Sequence, residues 1–234
     1  MKVIPGVHAI NTHRMGRAYL YQEADRLTLI DTGYAGRSGD IFTAIEALGR
    51  RVQDVRRTIL THWHIDHAGS VAALIERSER AEVIAHAFDA PIVRGERPGP
   101  DPQGFWRFLG PGVRRLGPAF RPARVDREAQ DGDEIDLDGG ARIVHVPGHT
   151  AGSIAIYVPG RRLLFTGDAI ANTLGLRKPI GFFTEDHDAA PASIRKLAQL
   201  DFEVACFGHG RPLDKDASAK FRRMVDRWPA GQWS

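Results

Sequence analysis

Short apolar runs separated by turn residues dominate the first half of the chain. Residues 18–22 (AYLYQ) and 27–30 (LTLI) are rich in β-prone side chains, and the second run ends at an Asp-Thr-Gly turn signal. Apolar residues recur at helical spacing over residues 40–48, which predicts a helix there. The other predicted elements of this half are a strand at 58–60, a helix that begins at 70–75 and a strand at 82–85.

A similar order of elements returns in the second half of the chain. The predicted elements there are strands at 142–146, 153–158, 162–165 and 204–207, and helices at 189–200 and 214–228. In each half, a strand pair is followed by an aspartate, a helix, a strand and a histidine. The histidine comes 31 residues after the aspartate in the first half (Asp31, His62) and 41 residues after it in the second (Asp168, His209). This repeat predicts two β-rich halves that pack sheet on sheet, with helices outside and the polar residues at one edge.

Residues 91–122 interrupt the pattern with seven of the fourteen prolines, several aromatic side chains and several arginines. The proline density argues against a continuous helix, although residues 103–109 are compatible with a short one. We expect an insertion that is either a surface excursion whose aromatic residues pack on the body or a lid over a substrate pocket. In the second case, Phe105, Trp106 and Phe108 are candidates to line the substrate.

The composition narrows the class of protein. Of 234 residues, 42% are hydrophobic and 26% are charged, which is ordinary for a globular protein and excludes a coiled coil or a disordered chain. A net charge of +3 over this length is a weak field, so a nucleic-acid partner is not favoured. No apolar run approaches the roughly 20 residues of a membrane span, and residues 1–10 lack an apolar signal-peptide core. We therefore expect a cytoplasmic protein without a membrane partner.

Ten histidines stand against a single cysteine, Cys206. One cysteine cannot form an intramolecular disulfide, and we expect Cys206 to be a buried strand residue. A transition-metal site in this chain would use imidazole and carboxylate ligands instead of thiolates.

A cluster of such groups occupies residues 61–67, which read Thr-His-Trp-His-Ile-Asp-His. Its three imidazoles would repel one another when protonated and would be poorly solvated when buried, and a divalent cation removes both problems. His62 and His64 are two residues apart, so in an extended segment they project to the same side. Asp66 and His67 follow in a turn and can point to a neighbouring position. This arrangement suits two adjacent metal ions better than one tetrahedral centre.

Three later segments each place a candidate ligand directly after a strand. His149 lies in a Pro-Gly-His-Thr segment, Asp168 follows Phe-Thr-Gly, and His209 lies between two glycines. Each segment alone is a weak signal, but their occurrence in this order after the histidine cluster is a strong one.

Together these motifs resemble the metallo-β-lactamase superfamily, whose hallmark is H-x-H-x-D-H, and they look most like its glyoxalase II-type branch. The resemblance runs from Asp31, at an early motif position that is usually structural, to His209. It implies an α/β (α+β) fold: a four-layer αββα sandwich of two mixed β-sheets flanked by helices. We expect one such domain over residues 1–234, with the insertion at about 91–122. The ligands that it implies are His62, His64 and His149 for the first metal ion, Asp66, His67 and His209 for the second, and Asp168 as the bridge.

The chemistry that the resemblance implies is that of a metal-dependent hydrolase. Two Zn²⁺ ions are the expected cofactors, with Fe or Mn as alternatives. A hydroxide that bridges the metal ions, derived from water with a pKa of about 7, would attack an ester, thioester or lactone bond of a small molecule. Asp66 and Asp168 are the candidate catalytic residues. Because imidazole must be neutral to bind metal, we expect activity to fall at acid pH.

Three differences from members of this superfamily narrow the range of expected substrates. Zinc β-lactamases often use a cysteine ligand, whereas Asp168 stands at that position here. Acyl-homoserine lactonases carry a tyrosine shortly after the bridging aspartate, whereas this chain continues with Ala169, Ile170 and Ala171. Glyoxalase II has a C-terminal helical domain for glutathione, and with about 25 residues after His209 we expect no such domain.

Other functions remain open. A persulfide dioxygenase of this superfamily uses the same motif with one iron ion, whereas His64 argues against flavodiiron proteins. A metal-dependent phosphodiesterase or a β-lactamase is a further alternative. Arginines able to contact phosphate stand at positions 107, 114, 115, 121, 124 and 127. We expect a small-molecule substrate, leave a homo-oligomer open, and name Phe183 and His187 as further candidates to line the substrate pocket.

Overall fold

A computed structural model describes residues 1–12, 16–100, 120–179 and 181–228 of the chain. The predicted insertion is only partly among them. Its first residues belong to a short helix, whereas the segment proposed as a short helix at 103–109, with Phe105, Trp106 and Phe108, lies outside the described residues.

The N-terminal half of the described chain forms a seven-stranded sheet whose spatial order follows the sequence. Its strands are β1 (Lys2–Ile4), β2 (Val7–Asn11), β3 (Arg17–Gln22), β4 (Leu27–Ile30), β5 (Val55–Ile59), β6 (Glu82–His86) and β7 (Arg127–Ala129). The first four strands are antiparallel, and β4 to β7 are parallel.

The second half of the described chain forms a five-stranded sheet and a small hairpin. The strands of this half are β8 (Glu134–Ile135), β9 (Ala141–His145), β10 (Ile154–Val158), β11 (Leu163–Phe165), β12 (Ala171–Asn172), β13 (Leu176–Arg177) and β14 (Val204–Cys206). The sheet order is β14-β11-β10-β9-β8, and β12 pairs with β13. Only the β11–β14 pair of the described residues is parallel in this sheet.

Helices cover the outer face of each sheet. They are α1 (Ser38–Glu46), α2 (Val71–Arg77), α3 (Ala90–Val93), α4 (Ala189–Ala198) and α5 (Ala217–Asp226). Ile41 of α1 and Leu74 of α2 are buried with Leu29 of the first sheet. Phe221 of α5 is buried with Leu164 of the second sheet. No helix within the described ranges has the length and apolar character needed to cross a membrane.

The main core lies between the two sheets. Alternate residues of β10 divide between two layers: Ile154 and Ile156 face this core, whereas Ala155 packs in the cluster under α4 and α5. Tyr19 of β3 meets Phe165 of β11 edge to face, with ring centroids 5.4 Å apart. The helices and sheets thus form the four layers of the predicted αββα sandwich, and that prediction is confirmed.

The longer predicted elements are also confirmed, with shifts of a few residues at their ends. The helix predicted at 214–228 is shorter at both ends, as α5 spans Ala217–Asp226. Sequence analysis missed the N-terminal hairpin of β1 and β2, the short strands β7 and β8, and the β12–β13 hairpin. Most of these strands have two or three residues, which is too short for a period-2 pattern to emerge.

Candidate metal centre

The predicted site residues follow the carboxyl ends of strands. Asp31 follows β4, His62 follows β5, His149 follows β9, Asp168 follows β11 and His209 follows β14. Since β4 and β5 run parallel, as do β11 and β14, their carboxyl ends lie at the same edge of each sheet. The packing of the two sheets brings these ends together, as the repeat in the sequence predicts.

A tight turn shapes the histidine cluster. His62 and His64 lie in an irregular segment after β5, and their ring centroids are 4.8 Å apart. The backbone N–H groups of His67 and Ala68 both donate to the carbonyl of His64, at 2.9 and 2.8 Å. This turn returns the His67 ring to within 4.0 Å of the His62 ring.

The structure brings all seven predicted ligands together. Three groups have ligand atoms within 4.8 Å of one another: His62, His64 and His149; His62, His67 and Asp168; and Asp66, His67 and His209. The carboxylate of Asp168 joins the groups: Oδ1 lies 3.4 Å from His67 Nε2, and Oδ2 lies 3.5 Å from His149 Nε2 and 3.1 Å from His209 Nε2. The carboxylate of Asp168 therefore lies within reach of histidines from all three groups.

Several atoms at the centre of the site have no hydrogen-bond partner among the described residues. His62 Nε2, His67 Nε2 and Asp168 Oδ1 are buried and unpaired. His149 turns its Nε2 toward this group, 2.9 Å from His64 Nδ1 and 3.5 Å from Asp168 Oδ2. Unpaired buried polar atoms are costly, and proteins keep few of them without a reason. Imidazole nitrogens and a carboxylate oxygen that converge in this way fit a transition-metal ion such as Zn²⁺.

A hydrogen-bond chain centred on Asp31 sets the orientation of two of these rings. Thr61 donates to Asp31 through its backbone N–H at 2.7 Å and through Oγ1 at 2.8 Å. His67 Nδ1 lies 2.8 Å from Asp31 Oδ2, and His62 Nδ1 lies 3.1 Å from Thr61 Oγ1. Each ring can therefore donate its Nδ1–H outward while Nε2 faces the site, which is the usual arrangement of a metal-bound histidine.

Burial keeps three of the imidazoles neutral. It lowers the pKa of His62 well below its ordinary value, that of His64 to about 3 and that of His149 to about 4, with the neighbouring imidazoles lowering the first two further. The effect of burial on the pKa of His149 is partly offset by Asp168, which favours the charged ring. Neutral imidazole is the form that binds a metal ion.

The carboxylates dominate the other half of the site. Burial lowers the pKa of His67 and His209, but Asp168 and its neighbouring carboxylates outweigh this effect and raise the pKa of His67 well above its usual range and that of His209 to about 10. Burial raises the pKa of Asp168, but His67 and His209 outweigh it and hold this pKa well below its ordinary value. This half of the site therefore attracts positive charge, which a divalent cation would supply.

Two carboxylates outside the motif also contact the ligand segments, and sequence analysis missed both. Asp89 accepts hydrogen bonds from Trp63 and Thr150, and Glu185 accepts them from Trp63 and Ala151. Neither carboxylate lies in a motif, and their partners are distant in the sequence. The only local signal was the position of Asp89 directly before a short proline-containing helix.

Of the candidates to line the substrate pocket, Phe183 lies near the predicted ligands and His187 lies farther out on the surface. Phe183 is 47% exposed, and its ring centroid lies 6.1 Å from that of His64, at the rim of the site. His187 is exposed on the same loop and belongs to none of the three ligand groups found among the described residues. Cys206 is buried in β14, as predicted, and burial raises the pKa of its thiol.

Known proteins share this fold and this sequence pattern. The family model of the metallo-β-lactamase superfamily matches residues 11–209. A relative from Bacillus subtilis (strain 168), described as the "probable metallo-hydrolase YflN", is 31% identical over 230 residues, which cover 89% of this chain and 85% of the relative. The acyl-coenzyme A thioesterase MBLAC2 of Bos taurus is 30% identical over 172 residues, which cover 65% of this chain and 57% of the relative.

A solved structure extends the similarity to three dimensions. A metallo-β-lactamase family protein from Thermus thermophilus has a TM-score of 0.75 and 22% sequence identity, and the match covers 97% of this chain and 80% of that protein. At this identity the match bears on the fold alone. With the family match over most of its length and a metallo-hydrolase relative of similar size, this chain belongs to the metallo-β-lactamase superfamily and is a metal-dependent hydrolase.

Proposed function

We propose that this protein is a zinc-dependent hydrolase with a dinuclear metal centre that cleaves a thioester bond of a small molecule, with esters and lactones as related substrates. The observation that carries the proposal is the position of Asp168 between two complete groups of ligands. The second group, Asp66, His67 and His209, offers a place for a second metal ion, which supports a dinuclear hydrolase. A persulfide dioxygenase with the same motif would bind one iron ion, so the metal content of the protein separates the two functions.

Metal ions bound in these groups would make hydroxide available at neutral pH and polarise the scissile carbonyl. The protein's own residues orient the ligands and transfer protons. Asp31 holds the ring of His67 through Nδ1. The Asp66 side chain is 31% exposed, whereas that of Asp168 is 9% exposed. Because Asp66 Oδ2 faces His209 Nε2 at 3.2 Å, we assign the transfer of a proton between the site and the leaving group to the other oxygen, Oδ1.

The preference for a thioester rests on two observations. The relative MBLAC2 is described as an acyl-coenzyme A thioesterase and aligns with 65% of this chain. The three residues after Asp168 are Ala169, Ile170 and Ala171, all buried, so they supply no hydroxyl group of the kind that lactonases carry there. A thioester carbonyl needs less assistance at its leaving group, because a thiolate is a better leaving group than an alkoxide.

A substrate panel on protein of known metal content tests the proposal. The metal content of the protein as purified is measured first, together with oxygen uptake on a persulfide substrate. The protein is then loaded with Zn²⁺, and hydrolysis of acyl thioesters, esters, lactones, β-lactams and phosphodiesters is compared. We expect two zinc ions per chain and the highest kcat/KM for a thioester. One iron ion per chain with oxygen uptake on a persulfide substrate would overturn the proposal, as would highest activity on a phosphodiester or a β-lactam.

A further inference from the structure

The first predicted metal position draws its ligands from two segments on different sheets. Residues 62–64 follow the first sheet, and residues 149–152 follow the second. A metal ion bound by both segments depends on their separation, so groups that connect them directly affect the ligand geometry.

Asp89 connects these two segments through one buried carboxylate. Its Oδ2 accepts from the backbone N–H of Trp63 at 3.0 Å and from Thr150 Oγ1 at 2.8 Å. Its Oδ1 accepts from the backbone N–H of Gly152 at 2.9 Å. Trp63 stands between the ligands His62 and His64, and Asp89 is only 2% exposed.

Glu185 makes a second connection between the same segments. Its Oε1 accepts from the indole Nε1–H of Trp63 at 3.1 Å, and its Oε2 accepts from the backbone N–H of Ala151 at 2.8 Å. Its own backbone N–H donates to the carbonyl of His149 at 3.1 Å. The indole it holds lies against the His64 ring, with centroids 4.5 Å apart.

The surroundings of Asp89 indicate that its carboxylate serves to accept the hydrogen bonds from Trp63, Thr150 and Gly152. No lysine or arginine among the described residues forms an ion pair with it. Burial raises its pKa to about 7, and the hydrogen bonds from Thr150, Trp63 and Gly152 oppose this rise and favour the carboxylate form. Gly152 is matched to this contact: a Cβ at this position would lie 2.5 Å from Asp89 Cγ, well inside contact distance.

We propose that Asp89 is a positioning residue for the first metal position: it sets the separation of the two ligand segments, and Glu185 assists it by orienting Trp63 against His64. This inference rests on the proposed metal hydrolase. Asp89 and Glu185 would then influence metal affinity without being metal ligands themselves. Their effect would fall on the metal position formed by His62, His64 and His149.

The variant Asp89→Asn tests this role with little change of shape. An amide has one acceptor oxygen and one NH₂ group, whereas the donors of Trp63 and Gly152 approach different carboxylate oxygens. In either orientation of the amide, one of these two N–H groups faces a donor and loses its partner. Thr150 Oγ1 can rotate and accept, so it is spared. The variant therefore severs one side of the connection.

Competition with a chromophoric chelator measures the affinity for each zinc equivalent in the wild-type protein and the variants. We expect Asp89→Asn to weaken one zinc equivalent about 10–100-fold, which is typical when a group that supports a ligand is lost, and to leave the other nearly unchanged. The visible spectrum of the Co²⁺-loaded variant should also differ, because it reports ligand geometry. Gly152→Ala, which pushes the segments apart but keeps every acceptor, should weaken the same equivalent.

Asp126→Asn is the control. Asp126 lies at the other end of β6 and likewise accepts a backbone N–H, from Val83 at 2.8 Å, but it is exposed, pairs with Arg124 and contacts neither ligand segment. We expect its zinc affinities and Co²⁺ spectrum to equal those of the wild type. Wild-type affinities and spectra in both Asp89→Asn and Gly152→Ala would overturn the positioning role alone. Equal weakening of the affinity for both zinc equivalents, or the same loss of affinity in Asp126→Asn, would mean that the substitution destabilises the whole protein, and would also overturn the positioning role. A wild-type protein that binds no metal would overturn the proposed hydrolase as well.

Discussion

Gly208 lies against the metal centre at a point where the protein has no space for a side chain. A Cβ at this position would lie 2.5 Å from His67 Cε1 and closer still to Asp168 Oδ1. The backbone of Gly208 cannot retreat, because its N–H donates to Gly167 at 3.0 Å and its carbonyl accepts from Arg17 at 2.9 Å. The variant Gly208→Ala should therefore displace the two ligand side chains and leave the chain trace in place.

The size of the displacement follows from these distances. Heavy atoms in van der Waals contact are about 3.5–4.0 Å apart, so His67 and Asp168 must move by about 1 Å. A misplacement of about 1 Å in a catalytic site can cost about 100-fold in rate, or roughly 2.7 kcal/mol of transition-state stabilisation. The backbone conformation itself is not strained by alanine, because φ at Gly208 lies outside the left-handed region.

The assay compares the wild type with Gly208→Ala and with the control Gly39→Ala. Gly39 lies in α1, has φ outside the left-handed region and would have nothing within 4 Å of an added Cβ. We expect Gly208→Ala to bind less zinc and to lose about 100-fold in kcat/KM, with a urea unfolding transition that remains cooperative. We expect Gly39→Ala to retain full activity. A Gly208→Ala protein with two zinc ions and wild-type kcat/KM would refute the geometry of the site.

Three further predictions follow from the site and its surroundings. Asp31→Asn leaves one acceptor oxygen where His67 Nδ1 and the backbone N–H of Thr61 use different oxygens, so one of them loses its partner. Its zinc affinity should fall about 10–100-fold in chelator competition, and unchanged affinity would contradict that role. Chelation with EDTA should abolish hydrolysis and Zn²⁺ should restore it, whereas full activity of metal-free protein would exclude a metal mechanism. Burial, and then the neighbouring His145, lower the pKa of His86 from 6.5 to about 4, so the folded state favours the neutral ring and loses stability as the pH falls through this range. The free energy of unfolding should therefore decrease by about 1–2 kcal/mol more in the wild type than in His86→Phe between pH 6.5 and about 4, and identical pH profiles in urea titrations would refute this.

The elements that sequence analysis located have a repeating pattern of their own. Helix α1 and strands such as β4 and β10 carry enough consecutive residues for a helical period or a β-prone run to emerge. Strands of two residues, namely β8, β12 and β13, are defined by the neighbour they pair with. No window of the sequence around them carries that information, so they were missed.

The histidine cluster was visible for a similar reason. Its four predicted ligands, three histidines and one aspartate, lie within six residues, so local spacing alone brought them into one place. The later histidines and Asp168 carried weak signals one by one, and their assignment depended on the order of motifs and the family resemblance. Their convergence required the carboxyl ends of β9, β11 and β14 to meet the end of β5, which is a property of the packed sheets.

What the sequence determined by itself was the chemistry: imidazole and carboxylate ligands, strand-end positions for them, and a sandwich of two similar halves. What only the tertiary structure decided was how those ligands are supported. Asp89 lies 26 residues from Trp63 and 61 from Thr150, and Glu185 lies 122 residues from Trp63. A carboxylate that accepts backbone N–H groups needs no particular sequence around it. Its role exists only once the fold has excluded water and left those donors without another partner.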